Sequence, residues 1–209
     1  RAVASAVEGS IEPDLLFTTP LWVRPLAGLE SVRREAVTAI QGLMKEHPSA
    51  GRSVRGGWHS GRLFGRGAPA PVRRVLAACM AEARACLAPA YGQWERHSLQ
   101  LGSAWASVLG PDDYNSPHHH APQPWSVVVW LQVPRMGNGA SRGQLELFHP
   151  SPADDPWGRG SVLVSPQVDH MALFPGRLLH MVHPTATKTD GPDGLRIAVA
   201  FNANVRPKP

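Results

Sequence analysis

Cysteine is almost absent from this chain: two of 209 residues, Cys79 and Cys86, both in one helical stretch. Seven positions along a helix put their Cα atoms about 10 Å apart at 1.5 Å rise per residue, too far for a disulfide, so the sequence carries no mark of an oxidising compartment. Long apolar runs are lacking as well. No stretch approaches the roughly 18 apolar residues of a membrane-spanning helix, and the first residues, "RAVASAVEGSIEPD", lack the apolar centre of a secretory signal. Lysine is scarce beside arginine, and the net charge is +5. The basic pairs in "SVRREA" and "APVRRVLAA" fall on predicted helices and read as solvated faces. The expectation is a cytoplasmic protein with no nucleic-acid or membrane partner, whose mildly basic surface favours an anionic substrate or peptide.

The remaining sequence divides in two. Between Leu29 and His47, Val32, Ala36, Ile40 and Leu43 recur at helical spacing until Pro48; between Ala70 and Leu87, Val72, Leu76, Cys79, Ala83 and Leu87 do the same until Pro89. Such amphipathic helices need a partner surface. The glycine-rich "GRSVRGGWHSGRLFGRG" between them reads as a loop carrying an exposed Trp58. From about Leu99 the chain breaks into short β-prone runs separated by Pro, Gly and Asp: "LQLGSAWASVL", "SVVVWLQVP", "QLELFHP", "SVLVSP", "HMALFP", "RLLHMVHP" and "LRIAVAFNANV". The expected fold is mainly β, a jelly roll with helices packed on one sheet. Residues 1–209 form one domain in this reading, with helical support over about 1–98 and the jelly-roll core over about 99–205.

"NSPHHHAPQ" places three histidines in a row. On an extended chain His118 and His120 point to one side and His119 to the other, so two imidazoles can grip one ion. A third ligand must come from a distant strand, and His180 in "FPGRLLHMVHP" is the candidate. Two histidines one residue apart plus a distant one cap a face of an octahedral ion and leave positions open, the logic of facial non-haem iron sites. A carboxylate usually holds the middle position; here His120 does. The alternative is a solvated, proline-flanked turn and a hydrogen-bonded strand histidine. Arg196, at the start of the last strand, suits the far carboxylate of a bound dicarboxylic acid; its alternative is an ordinary strand-end arginine.

The order of these motifs resembles the 2-oxoglutarate/Fe(II) oxygenases of the small bacterial and phage type. The likeness runs through "LLFTTPLW", "GGWHSG", "AWASV", "NSPHHHAPQPWSVVVWLQVP", "LFPGRLLHMVHP" and "RIAVAFN". The resemblance implies a double-stranded β-helix, cupin-like, with His118, His120 and His180 as ligands of Fe(II), 2-oxoglutarate as cosubstrate and Arg196 as its anchor. It also has departures. The aromatic pair that relatives carry on the strand after the histidines becomes Val129 and Trp130, and the hydroxyl residues two and four places after the arginine become Ala198 and Ala200. The Trp130 indole N–H is then a candidate partner for the cosubstrate. Asp169, beside His170, stands where relatives have glycine. His149 and His183 read as rim or surface groups.

The resulting expectation is a dioxygenase using O2 to hydroxylate an unactivated carbon of an amino acid, peptide or small natural product. Halogenation is disfavoured, because His120 fills the position that a halide would need. Two other functions compete: a three-histidine cupin-type dioxygenase without 2-oxoglutarate, and a non-catalytic jelly-roll module that binds metal. Arg196 argues against both. The substrate is expected to meet the loops over 49–70 and 135–160, with Trp58, Trp125 and Trp157 as candidate pocket walls.

Overall fold

The computed structural model describes residues 18–61, 67–91, 93–135, 142–151, 158, 160–185 and 191–208. Among them, two antiparallel sheets face each other and two helices cover the outer side of one. The strands are β1 (Trp22–Pro25), β2 (Val54–Arg55), β3 (Trp58–His59), β4 (His97–Leu109), β5 (Tyr114–His118), β6 (Trp125–Gln132), β7 (Leu145–Phe148), β8 (Ser161–Val164), β9 (His170–Pro175), β10 (His180–Val182) and β11 (Arg196–Pro207). One sheet has the order β1-β9-β6-β11-β4-β3, the other β2-β5-β10-β7-β8. Every β run expected from the sequence is a strand.

The helices α1 (Glu30–Glu46) and α2 (Ala70–Leu87) also fall where their periodicity puts them. Ala36 and Ile40 of α1, and Val72, Val75, Leu76, Cys79, Ala83 and Leu87 of α2, are buried, each spaced to keep one stripe inward. That stripe packs on the outer face of the six-stranded sheet against Val127, Val129, Leu131, Ile197, Val199 and Phe201. Because side chains on a strand alternate, the same strands turn Trp130, Ala172, Phe174 and Ala198 to the opposite face, where they meet Leu145, Leu147 and Val182 of the second sheet. Two apolar layers thus enclose β6 and β11 from both sides. Their sequences are apolar almost throughout for that reason. Both cysteines are free, as the helical spacing requires.

Two sequence expectations need correction. Trp58 is not an exposed loop residue: it lies in β3, 7% exposed, with its Nε1 donating to the His47 carbonyl at 2.9 Å. Pairing with β4 makes this short segment a strand, and glycine-rich local sequence gives no hint of it. Trp125 is likewise no pocket wall. It is buried under the helices and donates from Nε1 to Tyr91 Oη at 3.0 Å. Trp157, the third candidate, lies outside the described residues.

Asp169 now has a physical account. Its φ is +59°, the left-handed region that favours glycine and that Asp tolerates better than most residues. Its carboxylate takes Arg33 of α1 at 2.9 Å, tying the turn before β9 to the helix layer.

Candidate metal and cosubstrate site

The topology brings the three expected histidines together. β10 lies beside β5 with His180 directly opposite His118 in the ladder, which joins two residues 62 positions apart in the chain. His120 lies just past the end of β5. Its position is set by backbone contacts with the turn after β9: His120 N–H donates to the Gly176 carbonyl at 2.6 Å, and Gly176 N–H donates to Pro124 at 2.9 Å. A Cβ at Gly176 would come within 2.4 Å of the Gln123 carbonyl, so this close approach requires glycine. His119 is exposed, its Nδ1 accepting from Ala121 N–H at 3.2 Å, and it is not among the three clustered rings.

One nitrogen from each of His118, His120 and His180 lies within 4.8 Å of the others. The imidazoles are oriented from behind. His118 Nδ1 lies 2.7 Å from the Ser116 carbonyl and His180 Nδ1 lies 2.8 Å from the Leu178 carbonyl. A carbonyl only accepts, so each Nδ1 carries the proton and each Nε2 presents a lone pair, the arrangement in which metal-binding histidines are usually held. Ser53 Oγ approaches His118 Nε2 at 3.4 Å and itself accepts from Asn115 Nδ2 at 3.1 Å. Phe174 stands edge-on to His180 at 4.9 Å between ring centroids, and Trp105 lies over His120 at 5.1 Å.

Burial keeps these rings neutral. It pushes the His180 pKa down to about 3 and that of His120 down to about 4, the neighbouring His118 adding to both, and it lowers His118 as well. Three neutral nitrogen donors without a carboxylate among them suit a divalent first-row metal. No proton has to leave when one binds near pH 7.

Behind the histidines lies a cavity of about 50 Å³, lined by Trp105, Ser107, Asn115, Val128, Arg196 and Ala200 among others. Arg196 is 1% exposed, and its Nε and Nη2 have no hydrogen-bond partner. No carboxylate among the described residues lies within ion-pair distance of it. Burial lowers its pKa to about 10, which still leaves it charged at neutral pH. An unpaired buried guanidinium costs several kcal/mol, and an anion in the cavity it lines removes that cost. Trp130 is fully buried with an unpartnered Nε1, packed in the layer between the sheets. The residues present therefore fit both a metal ion and a carboxylate cosubstrate.

On the other side of the histidines an open cleft of about 580 Å³ is lined by Arg52, Ser53, His59, Trp105, His119 and Asn202 among others. His59 stacks on Trp105 at 5.9 Å with an interplanar angle of 12°. Burial first, then Arg52 and His118, lower its pKa to about 4. Its Nδ1 accepts from Gly61 N–H at 3.0 Å, which puts the ring proton on Nε2. His149 and His183 are elsewhere: His149 Nδ1 accepts from Ser151 N–H, and His183 pairs with Glu146 at 2.7 Å. Sequence reasoning passed over His59, Trp105, Ser107 and Asn115. The signal for two of them was present, since Trp105 and Ser107 are two apart on a strand and so share a face.

Residues 103–202 match the family described as "Putative 2OG-Fe(II) oxygenase", a span that contains all three histidines and Arg196. Over that span the chain is similar to the 2OG-Fe(II) oxygenase family. Its enzymes use Fe(II) and 2-oxoglutarate. A search of the curated proteins finds no match. Among solved structures, a prolyl hydroxylase from Trichoplax adhaerens in complex with a hypoxia inducible factor peptide fragment is similar at 16% identity and a TM-score of 0.63, over 88% of this chain and 82% of that one. A Pseudomonas putida prolyl-4-hydroxylase is 17% identical with a TM-score of 0.58, over 88% and 92%. HygX from Streptomyces hygroscopicus, with nickel and 2-oxoglutarate bound, is 14% identical with a TM-score of 0.59, over 89% and 83%. At these identities the likeness is one of fold, the double-stranded β-helix.

Proposed function

We propose that His118, His120 and His180 hold Fe(II) in this oxygenase, and that Arg196 anchors the far carboxylate of 2-oxoglutarate in the cavity behind them. The observation that carries this is Arg196: a guanidinium buried without a counter-ion, lining the same small cavity as the three imidazoles. When bound, iron and 2-oxoglutarate supply the oxidising power, O2 being consumed as the cosubstrate loses carbon dioxide to become succinate. The chain's own residues bind, orient and exclude water. The Ser116 and Leu178 carbonyls keep the His118 and His180 protons on Nδ1 and turn Nε2 inward. Phe174 and Trp105 screen two of the rings from solvent. Arg196 offers two free N–H groups to a carboxylate in a dry setting, where such bonds are strongest.

The substrate enters by the open cleft over His59 and Trp105, and the reaction is hydroxylation of an unactivated carbon in an amino acid, peptide or small natural product. The cleft's lining is polar and apolar in about equal parts and includes Arg52, which favours substrates bearing a negative group. Residues 1–209 work as a single domain, in the cytoplasm. Oxygen uptake by the Fe(II)-loaded enzyme decides between this proposal and a three-histidine dioxygenase that does without 2-oxoglutarate. We expect uptake, and succinate in proportion to it, to require 2-oxoglutarate. Uptake that proceeds equally in its absence overturns the proposal.

A further inference from the structure

Ala198 of β11 is surrounded by hydrogen-bond donors that bond to nothing in the protein. In the ladders it pairs with Ser107 of β4 on one side and with Trp130 of β6 on the other. Arg196, two residues earlier on the same strand, shares its face. The Ser107 hydroxyl, the Trp130 indole N–H and two nitrogens of Arg196 are all buried and without partners. Ser107, Arg196 and Ala198 all line the small cavity behind the histidines.

A buried hydroxyl without a partner costs about 1–3 kcal/mol, and Ser107 is only 7% exposed. The unpartnered acceptor across the cavity, Asn115 Oδ1, makes no hydrogen bond with it. Neighbouring Arg196 supplies positive charge and further N–H groups. Donors gathered around a methyl group, none of them bonded to the unpartnered amide oxygens of Asn115 and Asn202, are arranged for an acceptor from outside the protein. A carboxylate oxygen has that chemistry.

We infer that Ser107 is a cosubstrate-binding residue: its hydroxyl donates to the carboxylate that Arg196 grips, across the ladder from Ala198. The inference rests on the assignment of the cavity to 2-oxoglutarate. It predicts an unusual pair of effects for Ser107→Ala. Removing an unpartnered hydroxyl should leave the unfolding temperature of the metal-free protein unchanged or raised, while cosubstrate binding suffers.

The test is calorimetric titration of 2-oxoglutarate into protein loaded with Mn(II), in which no turnover is read. We expect Ser107→Ala to bind 2-oxoglutarate about 10- to 100-fold more weakly than the wild type, with Mn(II) affinity unchanged. Adding Ala198→Ser to that variant puts a hydroxyl back across the ladder and should recover part of the loss. A Ser107→Ala protein that binds as tightly as the wild type overturns the inference, as does a folded double variant that recovers nothing. Failure of the wild type itself to bind 2-oxoglutarate would instead overturn the assignment of the cavity, and the inference with it.

Discussion

Neutral imidazoles and an unpaired guanidinium sit within one small region of the protein, and each depends on what stands behind it. His118 and His180 owe their orientation to backbone carbonyls two residues earlier, and His120 owes its place to the Gly176 turn. His119 has no part in this, being exposed. Replacing His180 or His118 with Ala should therefore abolish stoichiometric metal binding, whereas His119→Ala should retain it in full, as read by metal content after loading and desalting. Metal loss in His119→Ala equal to that in His118→Ala would show that the alternation has been misassigned.

At the scale of elements, strands with their own apolar pattern were legible in the sequence and strands made by their partners were not. β4, β6, β9 and β11 carry continuous or alternating apolar residues bounded by Pro, Gly and Asp, and both helices keep a clear stripe. β2 and β3 are two residues each; they exist because β5 and β4 offer ladders to pair with. The three histidines and Arg196 were legible because residue type and order along the chain single them out. Ser107 and Asn115 were not, since an isolated polar residue in a strand acquires meaning only from the cavity it faces. Trp58 is the sharpest case. With its ring buried and its N–H on the α1 terminus, Trp58→Ala should cost about 3–5 kcal/mol in urea denaturation, while a surface tryptophan would cost under about 0.5 kcal/mol.

For the molecule as a whole, the buried histidines couple stability to pH. His59 and His180 have folded pKa values of about 4 and about 3 against an ordinary 6.5. Above 6.5 both are neutral whether the chain is folded or not, and stability is undiminished. As pH falls from 6.5 towards 4, the unfolded chain takes up protons that the folded chain refuses. Each such histidine then costs about 1.4 kcal/mol per pH unit. The metal-free protein should thus lose stability steeply between pH 6.5 and 4, and His59→Gln should flatten the slope.

Metal, cosubstrate and fold meet in one measurement: anaerobic titration of the metal-free protein with Fe(II) and then 2-oxoglutarate, followed by visible absorption. A saturable band should appear in the wild type, and Arg196→Ala should need more than about tenfold higher 2-oxoglutarate to reach it. Iron binding with no band at any 2-oxoglutarate concentration, or an Arg196→Ala titration that superimposes on the wild type, would contradict the account.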